Sequence, residues 1–124
     1  MRHDERLVAW SECHKLALQV YRVTHNFPKH ELYGLTSEAR RAALSAAVNI
    51  VEGSAKRGPA EFRRFLDISL GSLSELSYLL RVSRDLRLLG EQDWEHLNKL
   101  QSRARFLTWK LYRAVAAARR PDTN

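Results

Sequence analysis

Apolar residues recur at alternating steps of three and four over most of the chain, which is the spacing of a buried helical stripe. The first stripe runs through Trp10, Cys13, Ala17, Val20, Thr24 and Phe27. Pro28 has no amide hydrogen and restricts the residue before it, so a helix is expected to stop there. The pattern therefore predicts a first helix over about residues 5–26.

A second helix is predicted over residues 36–56, and most of its apolar positions carry small side chains. Thr36 or Ser37 stands where a side-chain oxygen would cap the first turn. Small residues let neighbouring helix axes approach closely, so we expect this helix to lie deep in the structure. Its inner face is predicted to consist of Ala39, Ala42, Ala43, Ala46, Ala47 and Ile50.

Two longer helices are predicted to follow, over residues 59–89 and 92–119. Pro59 suits the first position of a helix, and Gly90 is expected to end the third one. The predicted core stripe of the fourth helix is Leu97, Leu100, Ala104, Leu107, Leu111 and Ala114. Four amphipathic helices with short connections and no strand pattern predict an all-α fold in one domain over residues 1–124, an antiparallel up-down-up-down four-helix bundle.

The chain has a formal charge of +7, and most of the excess lies in its second half. Residues 1–61 hold nine basic and seven acidic side chains, whereas residues 62–124 hold twelve and seven. A balance of this size favours acidic partners such as nucleic acid. A solvated surface that is simply rich in arginine explains the charge equally well, so both interpretations stay open.

Motifs of enzyme chemistry are missing from the sequence. It lacks the paired Glu-x-x-His units of di-iron bundles, and its five glycines are scattered rather than gathered in a phosphate-binding loop. Cys13 stands alone, which excludes an internal disulfide, and it is expected to be a small buried thiol. We therefore expect a protein that is not an enzyme, with no cofactor and no metal.

The sequence also points away from membranes. The longest uncharged run, from Ala42 to Val51, has ten residues and is too short to cross a bilayer. The first residues lack the apolar core of a signal peptide. The expectation is a cytoplasmic protein without a membrane partner.

Phe106 and Trp109 are placed by helical periodicity on the side of the fourth helix that points away from the core. Large aromatic side chains that face water are costly unless something covers them. A subunit interface is the favoured interpretation. The alternatives are a ring that lies flat beneath arginine stems, and stacking platforms for RNA bases.

A polar stripe crosses the alanine-rich second helix at steps of four, four and three. It consists of Arg41, Ser45, Asn49 and Glu52. If these groups are buried, they need partners. Either they form a satisfied layer that fixes the register of the bundle, or they line a groove shared between subunits or with a ligand. For Arg41 we expect a carboxylate partner such as Glu75, or Glu52 on a neighbour, and for Asn49 a backbone carbonyl or a serine of the third helix.

The order of these residues resembles the four-helix-bundle proteins of the S23 family, also called the 23S rRNA intervening-sequence family. The resemblance covers about residues 7–115 and is most specific in Arg40-Arg41-Ala42-Ala43, Ser45, Asn49-Ile50 and Glu52-Gly53. Further matching positions are Trp10, Lys15, Ala17, Tyr21, Thr24, Phe27-Pro28, Glu31, Tyr33-Gly34-Leu35-Thr36, Glu61-Phe62, Arg64-Phe65-Leu66, Ile68, Gly71-Ser72, Glu75-Leu76 and Tyr78-Leu79-Leu80.

This resemblance implies a closed bundle and, from known relatives, a ring-like homopentamer. It implies little about activity, because the family is named for genes that lie in rRNA intervening sequences. More distant relatives are basic pentameric accessory proteins of retroelements that are thought to bind nucleic acid and a reverse transcriptase. The implied partners are further copies of the chain and RNA or a nucleoprotein; a protein-interaction module with an incidental basic surface is the alternative. The candidate nucleic-acid contacts, chosen by charge and helix face, are Arg63, Arg64, Arg103, Lys110 and Arg113.

Overall fold

The computed structural model describes residues 3–118, and over that range the regular structure is helical throughout. The α-helices are α1 (His3–Thr24), α2 (Ser37–Ser54), α3 (Pro59–Asp85) and α4 (Glu91–Ala118). A 3₁₀ turn at Lys29–Glu31 and a π-helical turn at Leu32–Thr36 connect α1 to α2. The predicted end of the fourth helix at residue 119 lies outside the described residues.

Each α-helix packs against the next one along the chain, and α1 also packs against α4, so that the four helices form a closed square. Arg22 near the end of α1 pairs at 3.5 Å with Asp93 at the start of α4, so these two helices run in opposite directions. Gly53 near the end of α2 lies against Phe62 near the start of α3, so α2 and α3 also run in opposite directions. The chain is therefore the predicted all-α four-helix bundle, with α2 and α4 at diagonal corners.

The inner face of α2 is made of small residues, as predicted: its five alanines and Ile50 are buried. These small side chains let α3 approach closely. A Cβ atom added at Gly53 would lie 2.8 Å from Phe62 Cδ1 and 2.8 Å from Phe65 Cβ, so only glycine fits this crossing. The larger core side chains come from the other helices and include Leu16, Leu66, Leu73, Leu97 and Leu111.

The core stripe of α4 differs from the predicted one. Leu100, Leu107 and Ala114 are only half-buried, whereas three neighbouring positions are buried in their place: Gln101, Thr108 and Val115. The Thr108 hydroxyl donates a hydrogen bond to the Ala104 carbonyl at 2.8 Å, so its polar group has a partner within its own helix. A polar residue whose side chain bonds the backbone of its own helix can be buried in a core. The buried face of α4 is therefore rotated relative to the face that its apolar residues predict.

The third helix ends earlier than predicted. It stops at Asp85 rather than near Gly90, because Arg87 takes a left-handed conformation with φ of 64°. The Leu88 amide donates to the Ser83 carbonyl, and the Arg87 amide donates to the Arg84 carbonyl, both at 2.9 Å. This pair of bonds is a Schellman termination, which glycine normally provides.

The start of α2 also differs from its prediction. Neither Thr36 nor Ser37 caps the helix; instead, the Leu35 amide donates to the Glu31 carboxylate at 3.1 Å. Gly34 lies between them in a non-helical conformation, with φ of −114° and ψ of −112°. A Cβ atom there would lie 2.7 Å from Glu31 Oε1, so a larger residue would displace the Glu31 carboxylate from this position.

Candidate functional site

The outer side of α4 carries an exposed aromatic pair. Phe106 is 55% exposed and Trp109 is 44% exposed, and their ring centroids lie 6.3 Å apart. The Arg113 guanidinium lies 5.1 Å from the centroid of Trp109, and the Lys110 amine lies 6.0 Å from that of Phe106. The two rings border a concavity of about 500 Å³ that Leu70 of α3 also lines. We call Phe106 and Trp109 the α4 aromatic pair.

The five predicted nucleic-acid contacts do not form one surface. Arg103 pairs at 3.2 Å with Glu12, a buried carboxylate of α1, on the opposite flank of α4 from α3. Arg64 pairs at 3.2 Å with Glu61 and stacks on Phe65, next to α2. The two remaining α4 side chains, Lys110 and Arg113, lie over the rings of the aromatic pair. Arg63 of α3 is half-buried.

The structure instead gathers basic side chains where α1 and α3 begin and α2 ends. We call this the basic end, and it consists of Arg6, Lys56, Arg57, Arg63 and Arg64. Arg6 and Lys56 line a cavity of about 210 Å³ beside Gly58 and Phe62. The Arg6 guanidinium lies 5.7 Å from the centroid of Phe62, and within the described residues its buried Nε atom has no hydrogen-bond partner. Sequence analysis found Arg63 and Arg64 but missed the other three, although Lys56-Arg57 in a glycine-containing turn was a visible signal.

The polar stripe of α2 is not a single buried layer. Its two central residues are half-buried and bonded: the Asn49 amide donates to the Ser45 carbonyl at 2.8 Å, and the Ser45 and Ser72 hydroxyls lie 2.8 Å apart. Its two ends are exposed to solvent. Arg41 lies 3.9 Å from Glu38, on its own helix, instead of the expected Glu75 or Glu52.

The solvent side of α2 is apolar. Leu44, Val48 and Val51 are 42%, 46% and 51% exposed, and we call them the α2 outer face. A groove of about 610 Å³ runs beside them towards α1 and the α1–α2 connection, where Tyr21 and Tyr33 line it. The Arg40 guanidinium covers the Tyr21 ring at 4.5 Å and donates to the Thr24 hydroxyl at 2.9 Å.

Cys13 is the only thiol of the chain, and it is fully buried between α1 and α4. Loss of hydration raises the pKa of Cys13 to about 11, although its hydrogen bond with the Thr108 hydroxyl acts in the opposite direction. The thiol is therefore protonated at neutral pH and is a poor nucleophile. Among residues 3–118, no group of three or more His, Cys, Asp or Glu side chains is arranged to hold a metal ion.

No helix within the described residues is long and apolar enough to cross a membrane. The model of the family described as 23S rRNA-intervening sequence protein matches residues 5–108. The chain belongs to this family. The resemblance noted in the sequence is therefore confirmed.

One solved structure, a protein of unknown function from the S23 ribosomal protein family of Bacteroides thetaiotaomicron VPI-5482, has a similar fold. The TM-score is 0.80 at 16% sequence identity, and the match covers 88% of this chain and 98% of that one. At this identity the likeness shows the fold alone. A search of curated proteins finds no match.

Proposed function

We propose that this protein is a non-enzymatic homo-oligomer that binds RNA through the basic end of the bundle. The observation that carries the proposal is the convergence of five basic side chains from α1, α3 and the turn between α2 and α3 at that end. Lys56 and Arg57 are exposed there, and the first turn of α3 begins next to them without a side-chain cap. Cations that reach phosphates supply most of the affinity of a protein that binds nucleic acid without sequence preference.

Salt dependence tests the RNA-binding part. Fluorescence anisotropy with a labelled single-stranded RNA should show binding that weakens steeply as salt rises. For each phosphate contact that is lost, the slope of log affinity against log salt should fall by about 0.7. The double variant Lys56→Gln/Arg57→Gln should therefore lower the slope by about 1.4.

The matched control removes two exposed basic groups from the opposite end of the bundle. Lys29→Gln/Arg87→Gln changes the net charge by the same amount and should leave the RNA affinity close to that of the wild type. Equal losses in both double variants would place the contacts elsewhere. Binding that does not respond to salt would overturn the proposal.

Self-association is the second part of the proposal. It is supported by two sets of exposed apolar side chains, Leu44, Val48 and Val51 of α2 and the aromatic pair of α4. Light scattering should give a mass that is a multiple of 14.4 kDa. A mass of one chain at micromolar concentration would overturn this part without affecting the RNA result.

A protein-interaction module with an incidental basic surface is the other candidate. It is favoured by the number of arginines that already pair with acids of the same chain: Arg22, Arg41, Arg64, Arg84 and Arg103. Charges neutralised in this way contribute less to phosphate binding. Retention of a protein partner after nuclease treatment, together with no RNA affinity in the anisotropy assay, would favour this candidate.

A further inference from the structure

We propose that the groove beside the α2 outer face binds an acidic amphipathic helix of a different protein. One side of that helix carries aliphatic residues that enter the groove, and its border carries carboxylates that meet Arg40 and Arg41. The inference goes beyond the proposed function, because it adds a protein partner and leaves self-association to the α4 aromatic pair.

The first argument is the apolar lining of the groove. The groove has a volume of about 610 Å³, and its aliphatic residues Leu32, Leu44 and Val48 are 45%, 42% and 46% exposed. Single apolar residues scattered over a surface are normal, whereas several that line one concavity are typical of a binding surface. The spacing of Leu44, Val48 and Val51 by four and three is that of a seam which packs against another helix.

The second argument is the charge of the lining, which includes two arginines and no carboxylate. Arg40 is half-buried and has no ion pair within residues 3–118. Arg41 lies 3.9 Å from Glu38, but these side chains are 72% and 48% exposed, so solvent weakens the pair. A half-buried guanidinium without a counter-charge favours a partner that supplies a carboxylate.

The third argument is that Arg40 is already held in position. Its Nε atom donates to the Thr24 hydroxyl at 2.9 Å, and its Nη2 atom donates to the Tyr21 carbonyl at 3.4 Å. The guanidinium also covers the Tyr21 ring at 4.5 Å. A guanidinium has five N–H donors, so three remain for a ligand. Because this side chain is fixed beforehand, a carboxylate can bind it with little further loss of conformational entropy.

The groove suits a helix better than an extended peptide or RNA. The regular structure of residues 3–118 is helical throughout, so this part of the chain offers no sheet edge to which an extended peptide could add. A helix satisfies its own backbone hydrogen bonds and can dock through side chains alone. For RNA, two arginines neutralise few phosphates, and one face of the Tyr21 ring is already occupied by Arg40.

The α4 aromatic pair of a second copy does not have the required charge. Lys110 and Arg113 lie over the two rings of that pair. Seating the pair in the groove would bring these cations towards Arg40 and Arg41, and like charges across an interface oppose binding. We therefore assign the acidic helix to a different protein.

Two fluorescently labelled synthetic peptides test the inference by anisotropy. Both carry leucine at helical steps of three and four; the first has glutamate at the flanking positions, and the second has glutamine there. The wild-type protein should bind the glutamate peptide at micromolar concentration and the glutamine peptide about tenfold more weakly. Equal affinities for the two peptides, or no binding of the glutamate peptide, would overturn the inference.

A carboxylate placed in the groove should block both peptides. Val48→Asp should lower both affinities by more than about tenfold, because the new charge would be buried among apolar contacts. Ile68→Asp is the matched control, since it adds the same charge at an aliphatic residue of α3 that is 42% exposed and does not line the groove. It should leave both affinities close to those of the wild type. Equal losses in the two variants would mean that net charge governs binding, and the inference would fail.

The arginines are tested by the preference for glutamate over glutamine, which general damage to the groove would not change. Arg40→Gln should abolish most of this preference, and Arg41→Gln should reduce it by about two- to fivefold. Arg81→Gln removes an exposed arginine of α3 outside the groove and should leave the preference unchanged. A preference that survives both groove variants would overturn the inference.

Light scattering separates this inference from the proposed self-association. Val48→Asp should keep the wild-type mass, with the helical circular dichroism unchanged. A mass that falls in Val48→Asp but not in Ile68→Asp would assign the groove to a second copy of the chain and overturn the inference. A wild-type protein that is itself a monomer would overturn the proposed self-association and leave the peptide results unaffected.

Discussion

Replacing Gly53 by alanine sets two opposite effects against each other. Alanine favours a helix over glycine by about 1 kcal/mol, because glycine loses more backbone entropy on folding. At this position, however, the new methyl group would lie 2.8 Å from Phe62 Cδ1 and 2.8 Å from Phe65 Cβ. The Phe62 ring could rotate slightly, but Phe65 Cβ is fixed to its backbone.

The magnitude follows from that second contact. Ordinary van der Waals contact between carbon atoms needs about 3.5–4.0 Å, so α2 and α3 must separate by several tenths of an ångström. Overpacking of this kind costs about 1–3 kcal/mol. After the gain of about 1 kcal/mol in helix propensity, Gly53→Ala should lower the free energy of unfolding by about 0–2 kcal/mol.

Urea unfolding followed by circular dichroism measures the change. Gly71→Ala is the matched control, because Gly71 is an exposed position inside α3 and a Cβ atom there would have no neighbour within 4 Å. This control should be more stable than the wild type by up to about 1 kcal/mol. If Gly53→Ala were stabilised as much as Gly71→Ala, the close approach of α2 and α3 would not restrict residue 53, and the reasoning would be refuted.

Two further predictions concern a strained residue and a buried thiol. Arg87→Gly should raise the free energy of unfolding by about 0.5–1 kcal/mol, because the left-handed conformation at φ of 64° costs an ordinary residue more than it costs glycine. Arg81→Gly, inside α3, should lower it by about 1 kcal/mol, and equal changes in both proteins would contradict the explanation. Burial raises the pKa of Cys13 from 9.0 to about 11, so its contribution is fully present below pH 9. As the pH rises through this window the unfolded thiol ionises first, and stability should fall by about 2–3 kcal/mol; Cys13→Ala should lack this component, and identical pH profiles would contradict it.

The sequence predicted the helices well because their apolar spacing is regular. It located the inner face of α2 residue by residue, since alanines at three-four spacing leave one possible buried side. The end of α3 was missed because Arg87 performs the role expected of Gly90, and composition alone does not show a left-handed arginine. The buried Gln101 and Thr108 were missed for a related reason: a pattern of apolar residues assigns polar side chains to the surface.

The candidate site was less predictable than the fold. Charge and helix face selected Arg63 and Arg64, which lie at the basic end, together with Arg103, which a buried carboxylate of α1 holds instead. That carboxylate, Glu12, lies 91 positions away in the sequence, and only the closure of α1 against α4 brings the two together. Arg6 joins the basic end for the same reason.

Polar contacts between α2 and α3, one of them from the polar stripe of α2, hold the two helices together. The Ser69 hydroxyl donates to the Ala46 carbonyl at 2.7 Å, and the Ser45 and Ser72 hydroxyls lie 2.8 Å apart, so two polar contacts in addition to the Gly53 crossing fix α2 against α3. Fixing α2 in this way also fixes its opposite side. The α2 outer face is therefore presented on a rigid helix, and a partner that binds it need not order it first.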